Sequence, residues 1–145
     1  MFSTHACGMT EQSLERDRTA FAGAGGALPA DVGASADATL VHESGLEVEV
    51  RQTNHEGELL DWLNAAADDG TPVVLNAAAW THYSWAIFDA CAQLTAPLVE
   101  VHISDPAQRP EEFRHTSVVT PHAVSVVAGK GIDGYREALE IVAGS

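Results

Sequence analysis

The feature that most constrains this chain is an alternation of strand-like and helix-like segments along residues 46–145. The first segment alternates apolar and polar side chains, as a strand with one solvated face does. Helical spacing of apolar residues follows, and the alternation then repeats. Such repeated units predict a parallel sheet with helices on both faces, which is a small flavodoxin-like three-layer α/β sandwich. The strand-like segments are residues 46–52, 72–75, 98–103 and 123–129.

The first 45 residues have a different character. They are rich in Ala, Gly, Ser, Thr and Asp, and residues 20–27 have too few large apolar side chains to build a core. No period of 2 or 3.6 persists there. We therefore predict an atypical, poorly ordered segment over residues 1–45 and an α/β domain over residues 46–145. Because such folds place their first strand in mid-sheet and no convincing strand precedes residue 40, that strand is expected to be missing or replaced.

Composition excludes several classes of partner. The chain has 7 basic and 21 acidic residues, and the resulting charge of −14 argues against a nucleic-acid backbone or an anionic membrane. Cys7 and Cys91 form no CxxC pair, so we interpret them as free thiols of a reducing compartment. The sequence has neither an apolar run of roughly 18 residues, as a membrane span needs, nor a secretory signal pattern. A cytoplasmic protein is expected.

Polar side chains gather where the predicted strands end. In open parallel sheets, ligands bind at the carboxyl ends of the strands. Asn76 follows the second predicted strand, and His82 lies in the loop beyond it. His102 lies near the end of the third strand and is followed by Ile103 and Ser104. These groups are expected at one edge of the sheet, although each histidine, taken singly, is also typical of an ordinary hydrogen-bonded surface residue.

Charged residues near this edge raise two further hypotheses. Arg109 and Arg114 lie in the next loop and offer positive charge for a carboxylate, although Arg114 is also compatible with a solvated surface position. A buried carboxylate at Glu100 is costly without a partner, so we expect it to bond to His102 or to loop backbone. A metal site of His82, Glu100 and His102 is disfavoured, because two of them share one strand and the third lies on a loop.

No cofactor is expected at this edge. The stretch over residues 129–131, Gly-Lys-Gly, is too short for a phosphate-binding loop and follows a different pattern. A nucleotide- or flavin-binding domain is therefore disfavoured, and no metal is predicted.

Several motifs together resemble the type II 3-dehydroquinate dehydratases. They are residues 52–59 (QTNHEGEL), 76–84 (NAAAWTHYS), 100–104 (EVHIS) and 112–115 (EFRH), and residues 127–131 resemble the closing segment of that family. The resemblance implies a lyase that converts 3-dehydroquinate to 3-dehydroshikimate and water, in the shikimate pathway to aromatic amino acids or in quinate breakdown. It implies a reaction without a metal or Schiff base: an arginine-activated tyrosinate removes a proton beside the ketone, and a histidine protonates the departing hydroxyl.

The resemblance also implies roles for individual residues. His102 matches the general acid, and Glu100 matches the carboxylate that orients it. Asp89 matches an acidic residue that reaches the site from a neighbouring subunit, which implies a homo-oligomer of trimers that assemble into a dodecamer. The matched substrate-binding positions are Asn76, His82, Asp89, Ile103, Ser104 and Arg114.

One departure from the family is severe. The family opens with a strand, an Asn-Gly-Pro-Asn-Leu-Asn turn and a lid that carries the arginine and the tyrosine base, and residues 1–45 match none of this. Milder departures are Ala77, Trp80 and Asp105, where the family has proline, tyrosine and asparagine. Three interpretations stay open: a shifted reading frame or misplaced start over residues 1–45, a binding module that keeps the pocket without turnover, or a non-catalytic partner of an active relative.

Overall fold

The computed structural model describes residues 47–145 in full and the backbone of residues 18–22 and 37–41. Within these ranges the chain forms one sheet in the order β2-β3-β1-β4-β5-β6. Its strands are β1 (Arg18–Ala22), β2 (Asp37–Val41), β3 (Glu47–Arg51), β4 (Val73–Leu75), β5 (Leu98–His102) and β6 (Ser125–Ala128). The helices are α1 (Glu56–Asp69), α2 (Trp85–Ala92) and α3 (Asp133–Ala143). No helix in the described ranges is long and apolar enough to cross a membrane.

The predicted flavodoxin-like α/β architecture is confirmed. All neighbouring strands pair in parallel except β2, which runs antiparallel to β3 at the edge. Without β2, the strand order β3-β1-β4-β5-β6 is the flavodoxin order, in which the first strand lies inside the sheet. The four strands predicted from residue 46 onward correspond to β3, β4, β5 and β6.

Of the two alternatives expected for the first strand, its absence is wrong, whereas its replacement by a segment without the opening motif of the resembled family agrees with β1. The segment β1 lies between β3 and β4, where Ala20 is opposite both Glu49 and Val73. Its sequence, RTAFA, contains one large apolar residue, so side-chain periodicity does not reveal it. The backbone hydrogen bonds by which β1 pairs with β3 and β4 do not depend on which side chains β1 carries. The prediction that residues 1–45 are poorly ordered falls, apart from β1 and β2, outside the described residues.

The core lies around β4 and β5. Every residue of these two strands is buried, as expected for parallel strands that are covered on both faces. Helix α1 packs Leu59 and Leu63 into the core, and α3 packs Tyr135 and Ala138. This packing fixes where β4 and β5 end, and the functional side chains follow directly from those ends.

Candidate active site

A solvent-open pocket lies at the carboxyl ends of β4 and β5. The two strands pair with Leu75 opposite Glu100, so the residues that follow them emerge side by side. The space between its walls, together with the part of the mouth that is open to solvent, is about 550 Å³. The lining residues are Asn76, Ala78, Ala79, His82, His102, Ile103, Ser104, Pro106, Arg109 and Arg114.

Glu100 and His102 form a buried pair on β5. Glu100 is 1% exposed, and its Oε1 lies 2.7 Å from His102 Nε2. Burial alone would raise the pKa of Glu100, but hydrogen bonds from His102, Thr120 and Ser117, together with attraction to His102, hold that pKa below its ordinary value. An ionised carboxylate only accepts hydrogen bonds, so His102 Nε2 is the donor. The expected partner of Glu100 is thereby confirmed.

Sequence reasoning missed the two hydroxyls that complete this cluster. Ser117 Oγ donates to Glu100 Oε1 at 2.7 Å, and Thr120 Oγ1 donates to Glu100 Oε2 at 2.5 Å. Both residues lie between Arg114 and β6, 17 and 20 positions after Glu100. No periodic pattern marks them, because their role depends on where the chain returns to β5.

His82 is the second histidine of the pocket lining. It ends the 3₁₀ helix Ala78–His82, and its Nδ1 lies 2.8 Å from the carbonyl oxygen of Thr116. A carbonyl only accepts, so Nδ1 carries the hydrogen and Nε2 is the other ring nitrogen available to a ligand. The His82 and His102 rings are nearly parallel, at 11°, with centroids 6.5 Å apart. The prediction that both imidazoles meet at one edge is confirmed.

Asn76 is held at both ends of its amide. Its Nδ2 donates to Tyr135 Oη at 2.7 Å, and its Oδ1 accepts from the backbone N–H of Ala78 at 3.1 Å. Burial raises the pKa of Tyr135 to about 12, although the bond from Asn76 opposes this. Tyr135 is therefore a neutral phenol that fixes the amide, and Asn76 Nδ2 retains a second hydrogen. In the sequence, Tyr135 lies on the apolar face of α3 and, with Gly134, resembles the closing segment of the family, but no pattern indicates its bond to Asn76.

Positive charge lies at the mouth of the pocket. Arg109 and Arg114, which the sequence predicted as a source of positive charge, both line the pocket. Arg114 Nε lies 3.3 Å from the Glu111 carboxylate, and the guanidinium carbon lies 5.0 Å from the centre of the Phe113 ring. Arg114 Nε is buried and makes no hydrogen bond to the described residues. The pocket therefore offers local positive charge in a strongly acidic chain.

Asp89 does not line the pocket of its own chain. It is exposed on α2, one turn after Trp85, which is 71% exposed. Its predicted contact with a neighbouring subunit's site stays a prediction.

The tyrosine base of the resembled family has no counterpart in the lining. The chain has two tyrosines. Tyr135 is buried with a raised pKa, and Tyr83 is 59% exposed and lies outside the pocket lining. Among residues 47–145, moreover, no three His, Cys, Asp or Glu side chains are grouped to hold a metal ion.

Comparison with known proteins identifies the family. The model of the family described as Dehydroquinase class II matches residues 25–143. The chain belongs to the class II dehydroquinases. It is 61% identical over 101 residues to the 3-dehydroquinate dehydratase of Salinispora tropica, a match that covers 70% of each protein. It is 56% identical over 105 residues to that of Kineococcus radiotolerans, covering 72% of this chain and 71% of the relative. The resemblance stated from the motifs is confirmed.

Solved structures agree with the dehydroquinase assignment. The crystal structure of type II dehydroquinase from Propionibacterium acnes superposes with a TM-score of 0.68 and 55% identity, over 71% of this chain and 75% of that one. A 3-dehydroquinate dehydratase-like protein from Bifidobacterium longum superposes with a TM-score of 0.57 and 46% identity, over 70% of this chain and 75% of that one. The α/β fold predicted from the strand and helix pattern is thus the fold of the class II dehydroquinases.

Proposed function

We propose that this chain is a 3-dehydroquinate dehydratase, a hydro-lyase that converts 3-dehydroquinate to 3-dehydroshikimate and water. The observation that carries the proposal is the buried Glu100–His102 pair in the wall of a pocket lined by Arg109 and Arg114. A proton donor beside positive charge fits a substrate that carries a carboxylate and loses a hydroxyl. The names of the relatives support the same reaction.

His102 is the proposed general acid. Its Nε2–H is committed to Glu100, which leaves Nδ1 without a hydrogen-bond partner among the described residues. A proton on Nδ1 is therefore free for transfer to the departing hydroxyl, while the ionised Glu100 fixes the ring and balances the charge of the imidazolium.

The remaining lining residues are proposed to bind the substrate. Asn76 donates its second amide hydrogen, and His82 offers Nε2, to the ring hydroxyls of the substrate. Ile103 and Ser104 bind the substrate carboxylate through the backbone that follows β5, and Arg114 adds charge. No cofactor takes part in the proposed reaction. Residues 47–145 do not supply within the pocket the tyrosine base that removes the proton beside the ketone, and the lid arginine that activates it in the resembled family is likewise unmatched.

A homo-oligomer completes the proposal. Helix α2 exposes Trp85, which contacts Phe88 edge-to-face with ring centroids 5.8 Å apart, and Asp89 lies on the same helix. Exposed aromatic groups of this kind are typical of subunit interfaces. They support a subunit contact on α2, whereas trimers that assemble into a dodecamer, with Asp89 completing the site of a neighbouring subunit, are proposed from the resemblance to the family. A cytoplasmic location is supported by the free, buried thiol of Cys91.

Absorbance of the conjugated enone product tests the proposal. The purified chain is mixed with 3-dehydroquinate, and turnover is followed in the ultraviolet. His102→Gln is expected to lower kcat by about 10²- to 10⁴-fold, because it removes the proton donor. His55→Gln, which makes the same change at an exposed histidine outside the pocket, is the matched control. A folded protein that binds 3-dehydroquinate without turnover would contradict the proposal and favour a binding module.

A further inference from the structure

The segment over residues 116–120 bonds directly to one pocket histidine, His82, and to Glu100, the partner of the other histidine, His102. At its start, the Thr116 carbonyl accepts the hydrogen bond from His82 Nδ1. One residue later, Ser117 donates to Glu100, and Thr120 donates to the other oxygen of the same carboxylate. Since Glu100 holds His102, this short stretch of chain supports both histidines of the pocket.

The segment is itself firmly held. The backbone N–H of Val118 donates to the carbonyl of Thr81, the residue before His82, at 2.8 Å. The side chains of Val118 and Val119 are buried in the core, at 4% and 0% exposed. Packing and backbone pairing therefore fix the position of the segment relative to His82, independently of any ligand.

The hydroxyl of Ser117 has a fixed direction. Its oxygen accepts hydrogen bonds from the backbone N–H groups of Val119 and Thr120, both at 3.0 Å. With both lone pairs used in this way, its single hydrogen is left for Glu100. Ser117 thus couples the turn of the segment to the carboxylate.

The Glu100 carboxylate accepts three hydrogen bonds. Two come from the segment and one from His102 on its own strand. The other titratable group near it is Cys91 of α2, whose pKa burial and the Glu100 charge raise to about 12, so that this thiol stays neutral. The ionised carboxylate of Glu100 is therefore stabilised by hydrogen bonds from His102 and from the segment.

We propose that residues 116–120 form a positioning element, which sets the spacing and orientation of His82 and His102 by holding a hydrogen-bond partner of each. The inference rests on the proposed function for its catalytic consequence, but its geometric content concerns only the unliganded protein. Ser117 and Thr120 act through Glu100 and touch no reacting atom, so they are positioning residues.

Thr120→Val and Thr120→Ser form the central pair of variants. Valine keeps the shape and removes the donor, whereas serine restores it. We expect Thr120→Val to lower kcat by roughly tenfold with KM changed by less than about threefold, because a misaligned acid impairs the chemical step more than binding. Thr120→Ser should recover most of the loss. Thr95→Val, the same change at an exposed threonine outside the pocket, is the matched control.

Two readouts do not depend on activity. In the unliganded protein, carboxyl ¹³C NMR should place the titration midpoint of Glu100 at higher pH in Thr120→Val than in wild type, with wild-type behaviour in Thr95→Val and Thr120→Ser. Ser117→Ala should shift the ring ¹⁵N signals of His82 as well, although Ser117 does not contact that ring. A shift at His82 on removal of Ser117 is what a shared positioning element predicts.

The outcomes separate the two proposals. If Thr120→Val and Ser117→Ala both leave the Glu100 midpoint at the wild-type value, or if Ser117→Ala moves Glu100 but leaves His82 unchanged, the positioning element is refuted. If the NMR shifts occur while the wild-type chain shows no turnover, the positioning element stands and the dehydratase proposal fails.

Discussion

Tyr135→Phe tests how the site is anchored to the core. The substitution removes one oxygen and keeps the ring that packs within α3 and the sheet. Asn76 is 3% exposed, and the substitution leaves its Nδ2 without the acceptor at 2.7 Å. Because the bond is lost and the buried amide donor is left without this acceptor, the free energy of unfolding should fall by about 1–3 kcal/mol. Urea unfolding followed by circular dichroism measures this.

The same residue predicts a loss of stability at alkaline pH. The pKa of Tyr135 is raised to about 12 in the folded protein, above the value near 10 of an unfolded tyrosine. Because the folded-state pKa is raised, the contribution of the neutral Tyr135 phenol to the free energy of unfolding is complete below about pH 10 and is lost as the pH rises through about 12. Two pKa units correspond to roughly 3 kcal/mol. Tyr135→Phe should remove this part of the pH dependence.

Tyr83→Phe is the matched control, because Tyr83 is the other tyrosine of the chain and is 59% exposed. It should change the free energy of unfolding by less than about 0.5 kcal/mol. If both variants unfold at the same urea concentration and lose stability alike between pH 10 and 12, the reasoning about the buried Asn76–Tyr135 bond is refuted.

Three further predictions concern the pocket and its surroundings. Ala78 has a positive φ of 49°, so Ala78→Gly should relieve strain and stabilise the protein by up to about 1 kcal/mol, measured as a rise in Tm; a clear fall would contradict this. Because folding lowers the pKa of Glu100, its ionised carboxylate stabilises the folded protein above the unfolded-state pKa, and this stabilisation is lost as the pH falls through the folded-state pKa. Glu100→Gln should therefore reduce the loss of folding stability at acid pH, and an unchanged loss would count against the Glu100–His102 pair. Trp85→Lys should reduce the oligomer mass seen by light scattering, whereas an unchanged mass would exclude the α2 face as an interface.

The sequence by itself determined the class of fold and the edge of the sheet where the site lies. Local patterns of apolar residues mark β3, β4, β5 and β6: a strand with one solvated face alternates, as β3 does, and strands covered on both faces are short apolar runs, as β4 and β5 are. The rule that parallel strands present their carboxyl ends together then brought Asn76, His82 and His102 to one pocket. The cost of a lone buried carboxylate predicted that Glu100 bonds to His102 or to loop backbone, and the family motifs implied that it orients His102.

Only the tertiary structure decided what completes the sheet and supports the site. The strand β1 is held by backbone pairing on both sides, and such pairing leaves no trace in a weakly apolar five-residue sequence. Ser117, Thr120 and Tyr135 reach Glu100 and Asn76 from 17, 20 and 59 positions away. Contacts over such distances depend on where the chain returns after packing, and no local pattern encodes that return.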